Sequence, residues 1–303
     1  AVVVNEGKII GEGWHQKAGT AHAEVNALAK LSPKALVGAT LYVNLEPCSH
    51  HGKTPPCCDL VLAKGIKKVV IGASDPNPKV SGRGIAALEA AGVEVISGVL
   101  EEACVELNKR FYCFHTKKRP YIILKWAQTA DGYIAPEGDN KGKVIWISDA
   151  DSQQLAHRWR AEEHAILVGR KTVADDNPQL TTRKWAGTHP IRLVIDPNNS
   201  LKKNAQVFNG DAKTVIFNKN RNNVEGNLHW VAISTTEILE GLIHWCMDHA
   251  IQSILVEGGA TTLQGFLSTD LWDECRVIEA KKYMKKGVKA PPIPEGKKTS
   301  KRI

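Results

Sequence analysis

No stretch of the 303-residue chain approaches the run of about eighteen apolar residues that a membrane-spanning helix needs, so no membrane span is expected. The first residues, Ala1-Val2-Val3-Val4, lack the basic and long apolar regions of a signal peptide. They read as a strand entered midway, with Asn5-Glu6-Gly7-Lys8 as a turn. A secreted cysteine scaffold is also missing. The seven cysteines are an odd number scattered over a long chain, which points to a reducing cytosol and a cytoplasmic location. No internal repeat is present. Most of the chain lacks net charge: residues 281–303, with nine Lys/Arg and one Glu, account for the whole formal +8 and leave the first 280 residues neutral.

At this length two domains of ordinary size are expected, 1–117 and 118–303, with the break at Lys117-Lys118-Arg119-Pro120. Val2–Val4 and Ile9–Gly13 suit a hairpin. Ala21–Lys30 is rich in helix formers, with His22 in its first turn and Val25 and Leu28 or Ala29 on its buried side. Thr40–Asn44 is a short β-rich run. Cys57–Lys64 reads as a helix closed by Gly65, Lys68–Gly72 as a strand, Ile85–Ala91 as a helix ended by Gly92, and Val93–Ile96 as a strand. This alternation indicates an α/β sheet with helices on its faces. A second sheet starts at Tyr121–Trp126, followed by the turn Asp131-Gly132. Ser148–Asp151 suits the cap of a helix reaching about Arg160. Ala165–Gly169, Ile191–Ile195, Val215–Phe217, His229–Ala232 and Ser253–Glu257 are further strands, with a helix at Ile238–His249.

The chemistry-bearing stretch is Glu46-Pro47-Cys48-Ser49-His50-His51-Gly52-Lys53-Thr54-Pro55-Pro56-Cys57-Cys58, read with His22-Ala23-Glu24. One imidazole and two thiolates suffice to hold a catalytic zinc whose fourth position stays open. A carboxylate two residues after the histidine can then shuttle protons. Zinc deaminases use this arrangement, with a glutamate that is not a ligand. The second cysteine here follows the first by nine residues rather than three, so the general pattern fits loosely. His22 and Cys57 would each stand near a helix N-terminus, where the dipole favours a thiolate. A lone His-x-Glu is commonly a surface helix turn. The double-cysteine loop, a poor packing element, is what favours zinc. His50, His51 and Cys58 could supply a fourth ligand, which leaves a structural zinc open. Cys58 reads as a small buried apolar residue, and His50 and His51 as pocket or loop residues.

The long Cys48–Cys57 span, together with Ile10–His15, the His-Ala-Glu segment, Leu45–Cys57 and Asp75–Gly84, resembles the deaminase half of the bifunctional riboflavin-biosynthesis deaminase/reductase family. The resemblance implies a cytidine-deaminase-like three-layer N-terminal domain, zinc ligands His22, Cys48 and Cys57, and Glu24 as proton shuttle. Lys53, Lys79 and Arg83 either hold a substrate phosphate or are solvated loop charges. Leu124–Gly132, Trp146–Ser148, Ala165–Leu180 and Ile254–Thr262 resemble the family's reductase half, which implies a dihydrofolate-reductase-like C-terminal domain. The last of these has its own physical reading. A strand ends at Glu257, glycines admit a ligand close to the backbone, and a helix opening near Thr261 can bind a pyrophosphate at its N-terminus. A lone Gly-Gly pair is more often a turn.

By family position, Ala127, Trp146, Thr172, Asp176, Gly259, Ala260, Thr261, Thr262, Leu263, Gln264 and Gly265 line NADPH. Arg160, Leu180, Arg183 and Glu257 contact substrate, with Lys125 close by. Arg160 could equally be a surface residue, and Thr172 and Asp176 could cap a turn. The implied activity is zinc-dependent hydrolytic deamination of 2,5-diamino-6-ribosylamino-4(3H)-pyrimidinone 5′-phosphate, followed by NADPH reduction of its ribose to ribityl. One zinc per chain, NADPH, a homo-oligomer and no nucleic-acid partner are expected. Against the family pattern the chain looks truncated before Ala1 and incomplete after Val277. The rival readings are a nucleobase or nucleic-acid deaminase whose basic tail is its footprint, and a non-enzymatic zinc module binding RNA. The Glu257-Gly258-Gly259 and Lys125 stretches argue against both. The basic segment around Ala290-Pro291-Pro292-Ile293-Pro294 is expected to stay solvated.

Overall fold

The computed structural model describes residues 1–78, 80–138, 147–234 and 236–296; Lys79 and Trp146 fall outside them. The chain divides into two compact units, Ala1–Lys117 and Lys118–Ile303.

The N-terminal unit contains β1 (Val2–Asn5), β2 (Lys8–Glu12), α1 (Ala23–Leu28), α2 (Pro33–Leu36), β3 (Thr40–Leu45), α3 (Cys57–Ala63), β4 (Lys68–Ala73), α4 (Arg83–Ala90), β5 (Glu94–Ser97), α5 (Glu101–Leu107) and α6 (Lys109–Thr116). Its sheet runs β2-β1-β3-β4-β5, antiparallel around β1 and parallel from β3 to β5. Val69 through Ala73 are all buried, the near-continuous apolar run of a parallel strand covered on both faces. Leu28, Cys58, Val61 and Leu88, one or two from each of α1, α3 and α4, join Leu41 and Ile71 in a single core. The inner face of α1 departs from expectation: Glu24, Ala27 and Leu28 are buried, Val25 is half-buried and Ala29 is exposed. Burying a carboxyl there costs free energy that an apolar residue would not. Helix α5 has no buried residue, hence no apolar periodicity by which its sequence could announce it.

The C-terminal unit contains β6 (Tyr121–Thr129), β7 (Tyr133–Pro136), α7 (Ala150–Glu162), β8 (Ala165–Gly169), α8 (Arg170–Asp176), β9 (Ile191–Ile195), β10 (Thr214–Asn218), β11 (Asn223–Glu225), β12 (Leu228–Ala232), α9 (Ile238–Asp248), β13 (Ser253–Val256), α10 (Ala260–Leu267), β14 (Glu274–Ala280) and β15 (Gly287–Lys289). Eight strands form one sheet in the order β11-β12-β10-β9-β8-β13-β6-β14, parallel except at β11. Along β8, Ala165 and Leu167 enter a core with Leu124, Phe217 and Phe266. Ile166 and Val168 enter another with Val173, Leu180 and Val194. The two-residue period thus serves a sheet buried on both sides. Asp149 caps α7 by accepting from the Ser152 N–H at 2.9 Å. Strands β6, β13 and β8 lie side by side. Open parallel sheets bind ligands outside the carboxyl ends of such strands.

The basic, proline-rich segment is less solvated than expected. Strand β15 pairs with β7, the Ala290 N–H donates to Gly132 O at 2.8 Å, and Pro291 is buried. The Asp131 carboxylate accepts from the Met284 and Lys285 N–H groups. Backbone pairing fixes residues 287–290 while Lys281, Lys282, Lys285, Lys286 and Lys289 stay exposed; the basic residues after 296 lie outside the described residues. Among the described residues, no helix is long and apolar enough to cross a membrane.

Candidate active sites

In the N-terminal unit, His22 is the N-cap of α1 rather than part of its first turn, and Cys57 opens α3. Cys48 lies on the loop that follows β3. His22 Nδ1 stands 3.5 Å from Cys48 Sγ and 3.3 Å from Cys57 Sγ. The three donor atoms lie within 4.8 Å of one another, and among the described residues no fourth His, Cys, Asp or Glu joins them. One borderline nitrogen and two soft sulfurs fit zinc, and three donors leave a position open. Cys58 takes no part: its thiol turns to Pro47 O (3.4 Å) and Gly84 O (3.6 Å), and burial pushes it up to about 12. The Cys48 thiol is drawn down to about 5, because Cys57 donates to it through both side chain and backbone N–H. The Cys57 thiol is driven up by the same interaction.

Glu24 is only 8% exposed, and burial raises its carboxyl above the ordinary range. It borders a cavity of about 830 Å3 also lined by Trp14, His15, Tyr42, Asn44, His50 and Asp75. Lys53 and Arg83 are exposed and do not line that cavity. His51 is an exposed loop residue.

Two residues without an assigned role in the sequence hold this site together. The buried Glu46 carboxylate accepts from the N–H groups of Asp75 (3.1 Å), Gly82 (2.9 Å), Gly84 (2.8 Å) and Ile85 (3.2 Å). It fastens the Asp75–Ile85 segment to the loop carrying Cys48. Gly84 permits this, since a Cβ there would overlap Pro47 O. Thr54 Oγ1 lies 3.3 Å from His22 Nε2, the ring nitrogen facing away from the sulfurs. The signal for Glu46 was present: an acid between Leu45 and Pro47 at the end of an apolar strand has few reasons to be there unless its oxygens are used.

In the C-terminal unit, Glu257 follows β13 and receives Arg160 in a bidentate pair, both contacts at 2.7 Å. Lys125 Nζ lies 3.5 Å from the same carboxylate. Burial works to raise the Glu257 carboxyl, but Arg160 and Lys125 outweigh it and hold the group down at about 2. Arg160 is therefore not a surface residue: its side chain is 13% exposed. Arg183 is exposed and donates to Thr181 Oγ1 at 2.9 Å. The Leu180 side chain is buried in the core behind α8, so only its backbone remains for a ligand.

The run Gly259–Gly265 does not share one face. A Cβ on Gly259 would approach Thr172 Oγ1, Thr262 faces Gly169, and Leu263 packs into the core. Ala260, Thr261, Gln264 and Gly265 line a groove of about 490 Å3 with Lys289 and Pro291. Gly258 lies so close to β8 that a Cβ would meet the Val168 backbone. Ala127 is half-buried on β6, and burial raises the Asp176 carboxyl.

A deaminase-type metal centre in one unit and a parallel sheet ending in an acid and two glycines in the other define a two-part zinc deaminase and reductase. Residues 1–73 match the family described as cytidine and deoxycytidylate deaminase zinc-binding region, and residues 120–292 match the RibD C-terminal domain. The chain is 43% identical over 295 residues to the riboflavin biosynthesis protein RibD of Aquifex aeolicus, covering 95% of this chain and 82% of that one. It is 36% identical over 306 residues to RibD of Escherichia coli, covering 93% and 81%. A solved structure from Thermotoga maritima is described as a diaminohydroxyphosphoribosylaminopyrimidine deaminase/5-amino-6-(5-phosphoribosylamino)uracil reductase. It superposes with a TM-score of 0.85 at 40% identity, over 95% of this chain and 81% of that one. Acinetobacter baumannii RibD gives 0.86 at 32%, over 98% and 84%. The chain belongs to the RibD family of riboflavin biosynthesis proteins. It is a bifunctional enzyme, a zinc-dependent deaminase joined to an NADPH-dependent reductase. The expected fold class, activities and cofactors stand, and the nucleic-acid and RNA-module readings fall away.

Proposed function

We propose that the N-terminal cavity deaminates 2,5-diamino-6-ribosylamino-4(3H)-pyrimidinone 5′-phosphate, with His22, Cys48 and Cys57 holding one zinc and Glu24 moving the proton. The observation that carries this reading is the buried Glu24 carboxyl bordering the same cavity as His22 and Cys48, two members of the three-donor His/Cys/Cys set. Zinc held by His22, Cys48 and Cys57 would supply a Lewis acid that lowers the pKa of water. The Glu24 carboxylate takes the proton and passes it to the departing amine nitrogen. Burial brings its pKa nearer the operating pH, where transfer in both directions is efficient. Metal analysis tests the ligand set: Cys48→Ala is expected to lose most of its zinc and Cys58→Ala to keep it. Equal depletion in both would overturn it.

In the C-terminal unit NADPH supplies the hydride that reduces the ribose. Glu257, Arg160, Lys125 and Arg183 bind the substrate, and the backbone at Gly258–Gly259 takes the cofactor's pyrophosphate. Thr172 and Asp176 flank it, and Ala260, Thr261, Gln264 and Gly265 border its groove. Gly259 has φ +68 and would push a Cβ toward Thr172, so Gly259→Ala is expected to weaken NADPH by about tenfold or more. Fluorescence titration read beside thermal unfolding checks this, and an unchanged Kd in a folded variant removes the cradle. The enzyme works in the cytoplasm, a reading supported by seven cysteines that all remain thiols, and acts as a homo-oligomer on a small molecule rather than on nucleic acid. Assaying ammonia release and NADPH oxidation on the same pyrimidine tests the whole sequence.

A further inference from the structure

The segment Gln179–Arg183 is held to a degree unusual for a loop. Every one of its five residues but Leu180 has a backbone group bonded to a side chain. Arg192, wholly buried, donates to Gln179 O at 3.2 Å, and Arg160 reaches Thr181 O at 3.5 Å. The Thr182 N–H donates to His189 Nδ1 at 3.3 Å, and the Arg183 N–H donates to His157 Nδ1 at 3.1 Å. Between these fastenings Leu180 is a buried non-glycine residue at φ +56. A backbone held there costs free energy and persists only when its surroundings over-determine it. The segment ends on Arg183, whose guanidinium is exposed and, among the described residues, has no carboxylate within ion-pair distance. Arg160, by contrast, is fully engaged by Glu257.

We propose that His157 is a positioning residue for reduction: its neutral imidazole accepts the Arg183 N–H and so sets where the Arg183 cation meets the anionic group of the ribosyl phosphate substrate. The inference rests on the reading of Arg183 as a substrate contact. His157 is 6% exposed on α7, so its ring is held by packing and its Nδ1 is aimed at a single donor. Only an unprotonated Nδ1 can accept. Burial first, then the nearby Arg160 and Arg183 charges, keep the ring neutral by drawing it down to about 4. Nothing in this role touches the substrate; the histidine acts through the backbone of its neighbour.

The test is a double-mutant cycle on the full chain, with supplied deaminated ribosylaminouracil phosphate and NADPH. His157→Phe is expected to raise the substrate KM about tenfold, the cost of one lost buried hydrogen bond, with kcat within about twofold and NADPH affinity unchanged. His157→Asn, whose amide oxygen stands near the Nδ1 position, is expected to recover most of the loss. Should His157→Phe not fold, His157→Gln replaces it, because its amide reaches the Nε2 position instead. Arg183→Ala is expected to raise KM at least as far, and the double variant to be no worse than Arg183→Ala alone within about twofold. Additive effects, or an unchanged KM on losing the acceptor, overturn the positioning role. An unchanged KM in Arg183→Ala overturns instead the reading of Arg183, whatever the histidine variants do.

Discussion

Glu24→Gln is expected to lower ammonia release by roughly 10²–10⁴-fold, the usual contribution of a positioned general acid–base group. The substitution keeps the shape and one oxygen of a side chain that is 8% exposed, so packing on the inner face of α1 is preserved. It removes only the proton acceptor. Because the three donors His22, Cys48 and Cys57 are complete without Glu24, zinc content is expected to stay at one per chain. Reduction of supplied deaminated intermediate is expected to be unaffected. Inductively coupled plasma analysis and the two half-reactions, measured on one preparation, check all three statements. Zinc loss in Glu24→Gln would show that the carboxyl supports the metal, and loss of reduction as well would join the two activities in one composite site.

How much of this was legible in the sequence follows from how locally each feature is determined. Strands such as Ala165–Gly169 and Ile191–Ile195 have the bounds expected of them, because a parallel strand covered on both faces must be an apolar run. Gly65 and Gly92, both at positive φ, end α3 and α4 as glycines just past a helix should. The exposed helix α5 was missed, since it buries nothing; β14 was missed because Glu274, Arg276 and Glu279 interrupt its apolar run, and β15 because it is only three residues long among lysines. Charge on side chains says little about whether the backbone beneath them is paired.

The sites divide along the same line. Residue type suggested a His/Cys/Cys donor set, and the family resemblance placed it on His22, Cys48 and Cys57, whose donor atoms lie together in the structure. Direction was not. Leu180 and Leu263 fall at positions associated with ligand contacts, yet their side chains enter the core. Seven consecutive residues opening a helix cannot all face one groove, at 3.6 residues per turn. The supporting shell was the least visible. Glu46 and His157 act on backbone groups of segments far along the chain, 29 and 26 residues away at the nearest, and no local pattern encodes such a partner.

Glu257→Gln is expected to abolish most of the reductase activity and to destabilise the C-terminal unit, while ammonia release persists. The carboxylate is the shared partner of Arg160 and Lys125, whose side chains are each 13% exposed. A neutral amide leaves both cations without a counter-charge, and breaking a buried pair in this way costs about 3–5 kcal/mol. The same carboxylate also makes stability depend on pH. Burial alone would raise the Glu257 carboxyl, yet Arg160 and Lys125 bring it down from 4.5 to about 2. A depressed carboxyl stabilises the fold fully above its unfolded value and loses that contribution as pH falls through its folded value. The window is therefore about pH 4.5 to 2, and its size is on the order of 3 kcal/mol. Denaturant unfolding between pH 7 and pH 2 is expected to show that acid-sensitive contribution in the parent chain and not in Glu257→Gln. Parallel profiles for the two proteins would mean that the carboxylate is not the counter-ion for which its geometry is suited, and the substrate-binding role assigned to the Arg160–Glu257 pair would lose its electrostatic basis.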